Sequence, residues 1–231
     1  MASSDDQQWT DMQRSPHFGG LTPFEWRRLR ALKDPRGIQK ALDAMPYHFA
    51  ETVWSPRRVL RHRTAHCLEG AIFATAALRV LGFPPLLLDL EAVQDMDHVI
   101  AIFRLRGGWG AIGKSSHSGL RYREPVYRTL RELAMSYFDV YINLRRERTL
   151  RAYSRPVNLA AFDRRHPGWM ACHADLWWIP EHLVEVPHVR LLTPAMERAL
   201  SRVDQRALEA ALVGHEKHRT TGNATEVGRR H

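Results

Sequence analysis

The sequence predicts one α+β domain, because helical and strand-like segments follow one another without a regular alternation. The clearest strand signal is a hairpin pattern that begins at His98. The clearest helix signal begins near Cys67 and ends at Gly82. With 44% hydrophobic and 26% charged residues, the chain can bury a substantial core. The domain is predicted to cover residues 21–213, with flexible tails at 1–20 and 214–231.

Helix starts are indicated by residues that accept hydrogen bonds from the first turn of a helix. Such predicted caps stand at Thr22, Ser55 and Thr64. The third of them precedes a helix predicted over residues 65–81, which Gly82 ends. Cys67 would lie in the first turn of this helix.

Three strands are predicted next. The first is the apolar run Leu86–Glu91. The other two form a hairpin of residues 98–106 and 109–114 around a Gly107-Gly108 turn. In this register His98 pairs with His117, and Ser115 faces the same side of the sheet as His98.

The last third of the chain is predicted to be mixed. A helix is expected from Pro125 to about Ile142, and a final amphipathic helix from Pro194 to about Val213. Two short strands are expected between them, at 176–179 and 184–191.

The charge of the chain bears on its partners. Lys plus Arg number 34 and Asp plus Glu 25, a formal net charge of +9. Most of the basic residues are arginines, and pairs such as Arg27-Arg28 and Arg164-Arg165 are scattered instead of forming one stripe with aromatic residues. Nucleic-acid binding is therefore not the expected function, since it would need this charge gathered on one face.

The sequence pattern predicts neither a membrane-spanning segment nor a secretion signal. Its longest apolar runs, such as 83–88, fall far short of the roughly 18 to 20 residues of a membrane span. The first residues lack a basic stretch and an apolar core. The sequence therefore predicts no membrane association and a cytoplasmic location.

Cys67 and Cys172 are the cysteines of the chain, too few for a disulfide framework. Neither stands in a spacing that groups zinc ligands locally, so no metal and no other cofactor is predicted. Cys172 is interpreted as structural. The first turn of a helix can lower the pKa of a thiol, which makes Cys67 the candidate nucleophile. His98, on a nearby predicted strand, is the candidate base.

Four segments together resemble the transglutaminase-like superfamily, and all lie between residues 66 and 112. They are His66–Ala71, Ala77–Pro84, Asp97-His98-Val99 and Trp109–Ile112. Segment 121–127 and the helix predicted after it look like a bacterial subgroup of that superfamily. The resemblance implies a papain-like core in which a cysteine-bearing helix packs on a small antiparallel sheet.

The resemblance also implies roles for individual residues. Cys67 would be the nucleophile and His98 the general base. The aspartate that normally orients the histidine would fall at position 113, where this chain has Gly113. Loss of such a carboxylate costs on the order of 10⁴ in turnover in serine proteases. Ser115 is the predicted substitute, as an uncharged hydrogen-bond acceptor, while Asp95 and Asp97 could also assist from the loop.

The expected activity is thiol-dependent acyl transfer or amide hydrolysis through a thioester. The substrate would be a peptide, a protein or a small amide. The alternative is a catalytically inactive binding or scaffold protein of the same fold, supported mainly by Gly113. Glu69 is expected to solvate the first helical turn. Lys114, Arg121 and Arg123 could bind an acidic substrate, although a solvated surface is the commoner fate of such residues.

Overall fold

The computed structural model describes residues 18–213, which form an α+β arrangement of helices around one antiparallel sheet. Its helices are α1 (Pro23–Arg30), α2 (Pro35–Asp43), α3 (Pro56–His62), α4 (Cys67–Val80), α5 (Leu130–Met135), α6 (Trp178–Glu185), α7 (Pro194–Ala199) and α8 (Gln205–Ala211). Its strands are β1 (Leu86–Ala92), β2 (His98–Leu105), β3 (Gly108–Ile112), β4 (Arg123–Tyr127), β5 (Leu150–Ser154), β6 (Val157–Asn158) and β7 (His188–Arg190). The predicted α+β class is confirmed.

The strands follow the order β4-β3-β2-β1-β5-β7, and β6 also pairs with β1. Every strand pair is antiparallel. Alternate residues of β1 and β2 face opposite sides, so the sheet has a core on each face. On one face Leu87, Val99 and Ala101 pack with α4, and on the other Leu88, Ile100 and Ile102 pack with α5.

Helix α4 lies at the centre of the molecule. All residues from Glu69 to Val80 are buried, which explains why its sequence is apolar on every side instead of amphipathic. Helices α1, α2 and α3 pack around it, and β2 lies beneath it. Helix α4 is therefore held on several sides.

The predicted helix starts are partly confirmed. Thr22 and Glu25 form the full capping box of α1, and Ser55 caps α3. The cap of α4 is His66, two residues after the predicted Thr64, because Glu69 reaches back to the backbone N–H of His66. Helix α2, capped by Asp34, was not predicted.

The predicted helix from Pro125 to Ile142 is largely wrong. Pro125 lies in β4, at the edge of the sheet, where a missing N–H costs no ladder hydrogen bond. The helix itself begins only after the Thr129 cap and covers Leu130–Met135.

Three other predictions in the last third of the chain need correction. Residues 176–179 lead into α6 instead of forming a strand, and the strand predicted at 184–191 is confined to His188–Arg190. The last predicted helix is two helices, because Asp204 caps a new start after a break. Strands β5 and β6 were not predicted, since their sequences alternate too weakly.

The predicted tails lie mostly outside the described residues, which exclude 1–17 and 214–231. Phe18–Gly20, predicted as part of the first tail, forms a 3-10 turn that contacts the turn at Trp169–Ala171.

The hairpin turn is Arg106-Gly107, one residue earlier than predicted, with φ angles of 50° and 84°. Leu105 therefore pairs with Gly108, and the register shifts by two residues. Continued past the end of β3, this register places Ser115 opposite His98, where the prediction had His117. A shift of two leaves every side chain of the hairpin on its predicted face. Ser115 lies past the end of β3.

Asp89 is an unusual member of the core because it is a carboxylate with only 5% exposure. Its Oδ2 lies 3.2 Å from Nε2 of His188, while its Oδ1 is buried without a hydrogen-bond partner among residues 18–213. Burial raises the pKa of Asp89 to about 6, helped by the nearby charge of Asp97. The charged form is thus disfavoured in the folded protein.

We expect Asp89→Asn to change the free energy of unfolding, relative to the wild type, more favourably at pH 7 than at pH 3. The native carboxyl stays protonated up to pH about 6, whereas the unfolded one ionises near 3.8, so the wild type loses stability as pH rises between these values. Asparagine does not titrate and has no such loss. The free energy of unfolding of the variant, relative to the wild type, should therefore rise by about 3 kcal/mol from pH 3 to pH 7. Urea unfolding at both pH values measures it. Glu51→Gln, an exposed carboxylate, is the control, and a difference independent of pH would contradict the account.

Candidate functional site

Cys67 is the first residue of α4 and is half-buried. Three donors surround its sulfur: the backbone N–H of Leu68, the backbone N–H of Val99 and the hydroxyl of Tyr47. These hydrogen bonds favour the thiolate, but burial opposes it more strongly and raises the pKa of Cys67 above its ordinary value. The lowered pKa predicted from the helix start is therefore not found, because desolvation outweighs the donors.

Tyr47 lies directly against Cys67. Its hydroxyl oxygen accepts from the backbone N–H of Cys67, and its O–H interacts with the thiol. Burial raises the pKa of Tyr47 well above its usual value, so the hydroxyl keeps its proton and remains a donor.

A buried carboxylate holds the segment that carries Tyr47. Glu69 is 0% exposed and accepts four hydrogen bonds shorter than 3.3 Å. Its donors are the Nδ1 of His48, the hydroxyl of Thr52 and the backbone N–H groups of Trp54 and His66. Glu69 thus fixes residues 47–54 over the start of α4, instead of solvating the first turn as expected.

His98 is the first residue of β2 and is buried. Its Nε2 lies 2.8 Å from the backbone carbonyl oxygen of Leu120. A carbonyl can only accept, so Nε2 must carry a proton. Burial lowers the pKa of His98 to about 4, which makes the ring neutral at pH 7 and leaves the lone pair on Nδ1.

At the third position of the expected triad, residue 113, a backbone carbonyl takes the place of the expected side chain. A Cβ on Gly113 would lie 3.0 Å from the carbonyl oxygen of Leu120 and 3.1 Å from Nε2 of His98. The Oγ of Ser115 accepts from the backbone N–H of His117 at 2.9 Å. The carbonyl of Leu120, and not the side chain of Ser115, therefore orients the imidazole, and a glycine at 113 leaves room for this contact.

The segment that presents Leu120 is held by side chains beneath it. Arg123 donates to the carbonyl oxygens of Gly119 and Tyr122 and lies over the ring of Tyr137, 3.9 Å from its centroid. Tyr137 in turn donates to the carbonyl oxygen of Arg121 at 2.8 Å. Arg123 is thus a structural residue of this loop. From its sequence context it was expected either to bind an acidic substrate or to lie on a solvated surface.

Lys114 and Gln39 hold the other end of the same loop. The ammonium group of Lys114, only 5% exposed, donates to the carbonyl oxygens of Leu42 and Met45 at the end of α2. Gln39 makes two hydrogen bonds to the backbone of Gly113. Lys114 is therefore a buried structural residue, and Arg121, which reaches Asp43 at 3.4 Å, lies at the surface.

Cys67, His98 and Ser115 all line one cavity of about 120 Å³. The cavity lies at the start of β2, where α4 also begins. Its other lining residues are Tyr47, Asp95, Met96, Asp97, Ser116, His117, Leu120, Tyr141 and Ile142. Asp95 and Asp97 accept hydrogen bonds from Thr149 and from the backbone of Ala92, so they shape the loop before His98. The space is enough for a small acyl group.

Two contacts of this site, that of Tyr47 with Cys67 and that of Leu120 with His98, were not predicted from the sequence. Leu120 acts through its backbone, so its side chain carries no signal. Tyr47 is far from Cys67 along the chain, and its place depends on Glu69. The acid three residues after His66 could have indicated a helix cap, but not that the same carboxylate also holds another segment.

No family model and no curated protein matches this chain. Among residues 18–213, no group of three or more histidine, cysteine or carboxylate side chains is arranged to hold a metal ion. In the same range, no helix has both the length and the apolar character to cross a bilayer.

The raised pKa of the Cys67 thiol leads to a pH prediction. We expect alkylation of Cys67 by iodoacetamide to be slow at pH 7 and to rise steeply with pH, without a plateau near neutral pH, because only the thiolate reacts. Mass spectrometry of the peptides that contain Cys67 and Cys172 measures both rates in one sample. A plateau near pH 7 for Cys67 would show a thiolate already formed and contradict this result.

Proposed function

We propose that this protein is a thiol-dependent acyltransferase or amide hydrolase with a papain-like core similar to that of the transglutaminase-like superfamily. The main support is the shared cavity of Cys67 and His98, together with an imidazole whose Nε2 is occupied by Leu120. The sheet, the cysteine at the start of a buried helix and the histidine at the start of a strand fit this arrangement.

The first half of the reaction transfers the acyl group to sulfur. Nδ1 of His98 removes the thiol proton while the Cys67 sulfur attacks the acyl carbon. The C–N bond then breaks, the proton passes from His98 to the leaving amine, and a thioester remains. Because both groups are neutral at pH 7, the proton moves during attack instead of beforehand.

The second half releases the acyl group. Water or an amine attacks the thioester, His98 takes its proton, and the sulfur leaves and regains that proton. In both halves the oxygen of the acyl group becomes negative during attack and needs a hydrogen-bond donor that keeps its own proton. The Tyr47 hydroxyl beside Cys67 meets this requirement. The cavity volume favours a small acyl group of a peptide, protein or small amide.

The second candidate is a catalytically inactive binding or scaffold protein. The raised pKa of Cys67 and the small cavity favour it, since both are also expected of a buried thiol without catalytic use.

Formation of an acyl-enzyme distinguishes the proposed enzyme from the inactive binding or scaffold protein. The wild type is incubated with p-nitrophenyl acetate at pH 8 and examined by intact mass spectrometry and peptide mapping. An enzyme should carry one acetyl group on Cys67 that hydroxylamine removes. Acetylation confined to lysines, or none up to pH 9, would support the inactive protein.

A further inference from the structure

A second cleft, much larger than the cavity of Cys67, lies at the other side of the loop before His98. Its volume is about 640 Å³, within the range typical of small-molecule sites. The cleft is bounded by the end of β1, the start of β5, β7 and the segment from α7 to α8. We call it the arginine cleft, after Arg148, Arg151, Arg190, Arg198 and Arg202.

The positive charge of the arginine cleft is only partly neutralised. Its five guanidinium groups face three lining carboxylates, those of Glu91, Glu147 and Glu197. Glu197 is shared between two of the arginines, Arg151 and Arg190. Of the carboxylates outside the lining, Asp139 pairs with Arg148.

Arg198 and Arg202 differ from the other three. Both are exposed, and neither makes an ion pair or a hydrogen bond to another part of residues 18–213. Their guanidinium donors are therefore available to a ligand without breaking an existing contact in that part of the chain.

Two of the arginines are already fixed in place. Arg148 donates to the carbonyl oxygen of Ser201, and Arg151 donates to those of Arg148 and Leu150 at 2.8 and 2.9 Å. Their side chains are mostly buried, so ordering them on binding costs little entropy. Fixed guanidinium groups next to free ones form a surface suited to several negative oxygens at once.

We propose that the arginine cleft binds a small molecule that carries two or more phosphate groups. Guanidinium groups recognise phosphate oxygens with paired hydrogen bonds, and separate arginines can hold successive phosphates. None of the lining residues in the described chain is aromatic, so recognition rests on the phosphates and not on stacking of a base. The proposal does not depend on the chemistry of Cys67.

Calorimetric titration with inorganic tripolyphosphate tests the proposal on the full chain. We expect saturable binding with one site in the wild type, and weaker binding of inorganic phosphate. Arg198→Ala combined with Arg202→Ala should weaken tripolyphosphate binding at least about tenfold, since each removes charged hydrogen bonds. Both side chains are exposed, so the fold should persist, which thermal unfolding of the variant verifies.

The matched control removes two exposed arginines of α1, by Arg27→Ala combined with Arg30→Ala. It changes the net charge equally but leaves the arginine cleft intact. Unchanged affinity in this control supports the proposal. Absence of saturable binding in the wild type, or an equal loss in both double variants, would overturn it, since general attraction to a chain of net charge +9 would then suffice.

Discussion

Replacement of Cys67 by alanine is expected to abolish the acetyl-enzyme formed with p-nitrophenyl acetate. The variant loses the only nucleophile of the proposed reaction, and removal of such a group in serine proteases lowers turnover by about 10⁶-fold. The rate of p-nitrophenol release and the mass of the intact protein both report the effect. The fold should be retained, since the thiol is half-buried and alanine suits the start of a helix.

Cys172→Ala is the matched control for that experiment. Cys172 is also half-buried but lies outside the cavity of Cys67. Its replacement should leave acetylation unchanged. If Cys67→Ala still forms the same hydroxylamine-sensitive adduct, or if only Cys172→Ala loses it, Cys67 is not the nucleophile.

Replacement of Gly113 by aspartate is expected to lower the rate of Cys67 acetylation by about 10²-fold or more, although it introduces a carboxylate at the position where the proposed resemblance expects one. The new side chain would stand at the contact between Nε2 of His98 and the carbonyl of Leu120, where even a Cβ comes within 3.1 Å. The imidazole would then lose the hydrogen bond that sets its tautomer and orientation.

Two further variants separate orientation from simple loss of stability. Gly113→Ala should give a smaller loss, because a single methyl group asks the neighbours to move by only a few tenths of an ångström. Gly110→Ala, in β3, would place a Cβ against Phe103 and the backbone of Arg123, so it reports the stability cost of crowding the sheet next to the loop of Leu120. A Gly113→Asp variant that is folded and faster than the wild type would show that the carboxylate can replace Leu120.

Much of the site's location followed from local signals in the sequence. Gly82 and the apolar run before it indicated the helix that Cys67 begins, and the alternation after His98 indicated the strand. Cys67 and His98 can line one cavity only if α4 and β2 begin in the same region of the fold. The short connection between the two elements, through β1, favours this arrangement.

The finer chemistry of the site depended on contacts distant in sequence. The pKa of Cys67 is raised by burial, whereas its place at the start of a helix alone suggested a lowered pKa. The acceptor of His98 is a backbone carbonyl, which no residue type can signal. Among the elements, the region from Pro125 to Ile142 was misjudged because proline at an edge strand resembles proline at a helix start.

Nuclear magnetic resonance of the histidine rings tests the central pairing most directly. At pH 7, ¹⁵N-labelled His98 should be neutral, with the proton on Nε2 and none on Nδ1. Alkylation of Cys67 should shift the Nδ1 resonance, because the proposed reaction requires that nitrogen to lie next to the sulfur. A proton on Nδ1, a charged ring, or an Nδ1 resonance indifferent to Cys67 alkylation would contradict a cysteine and histidine that act together.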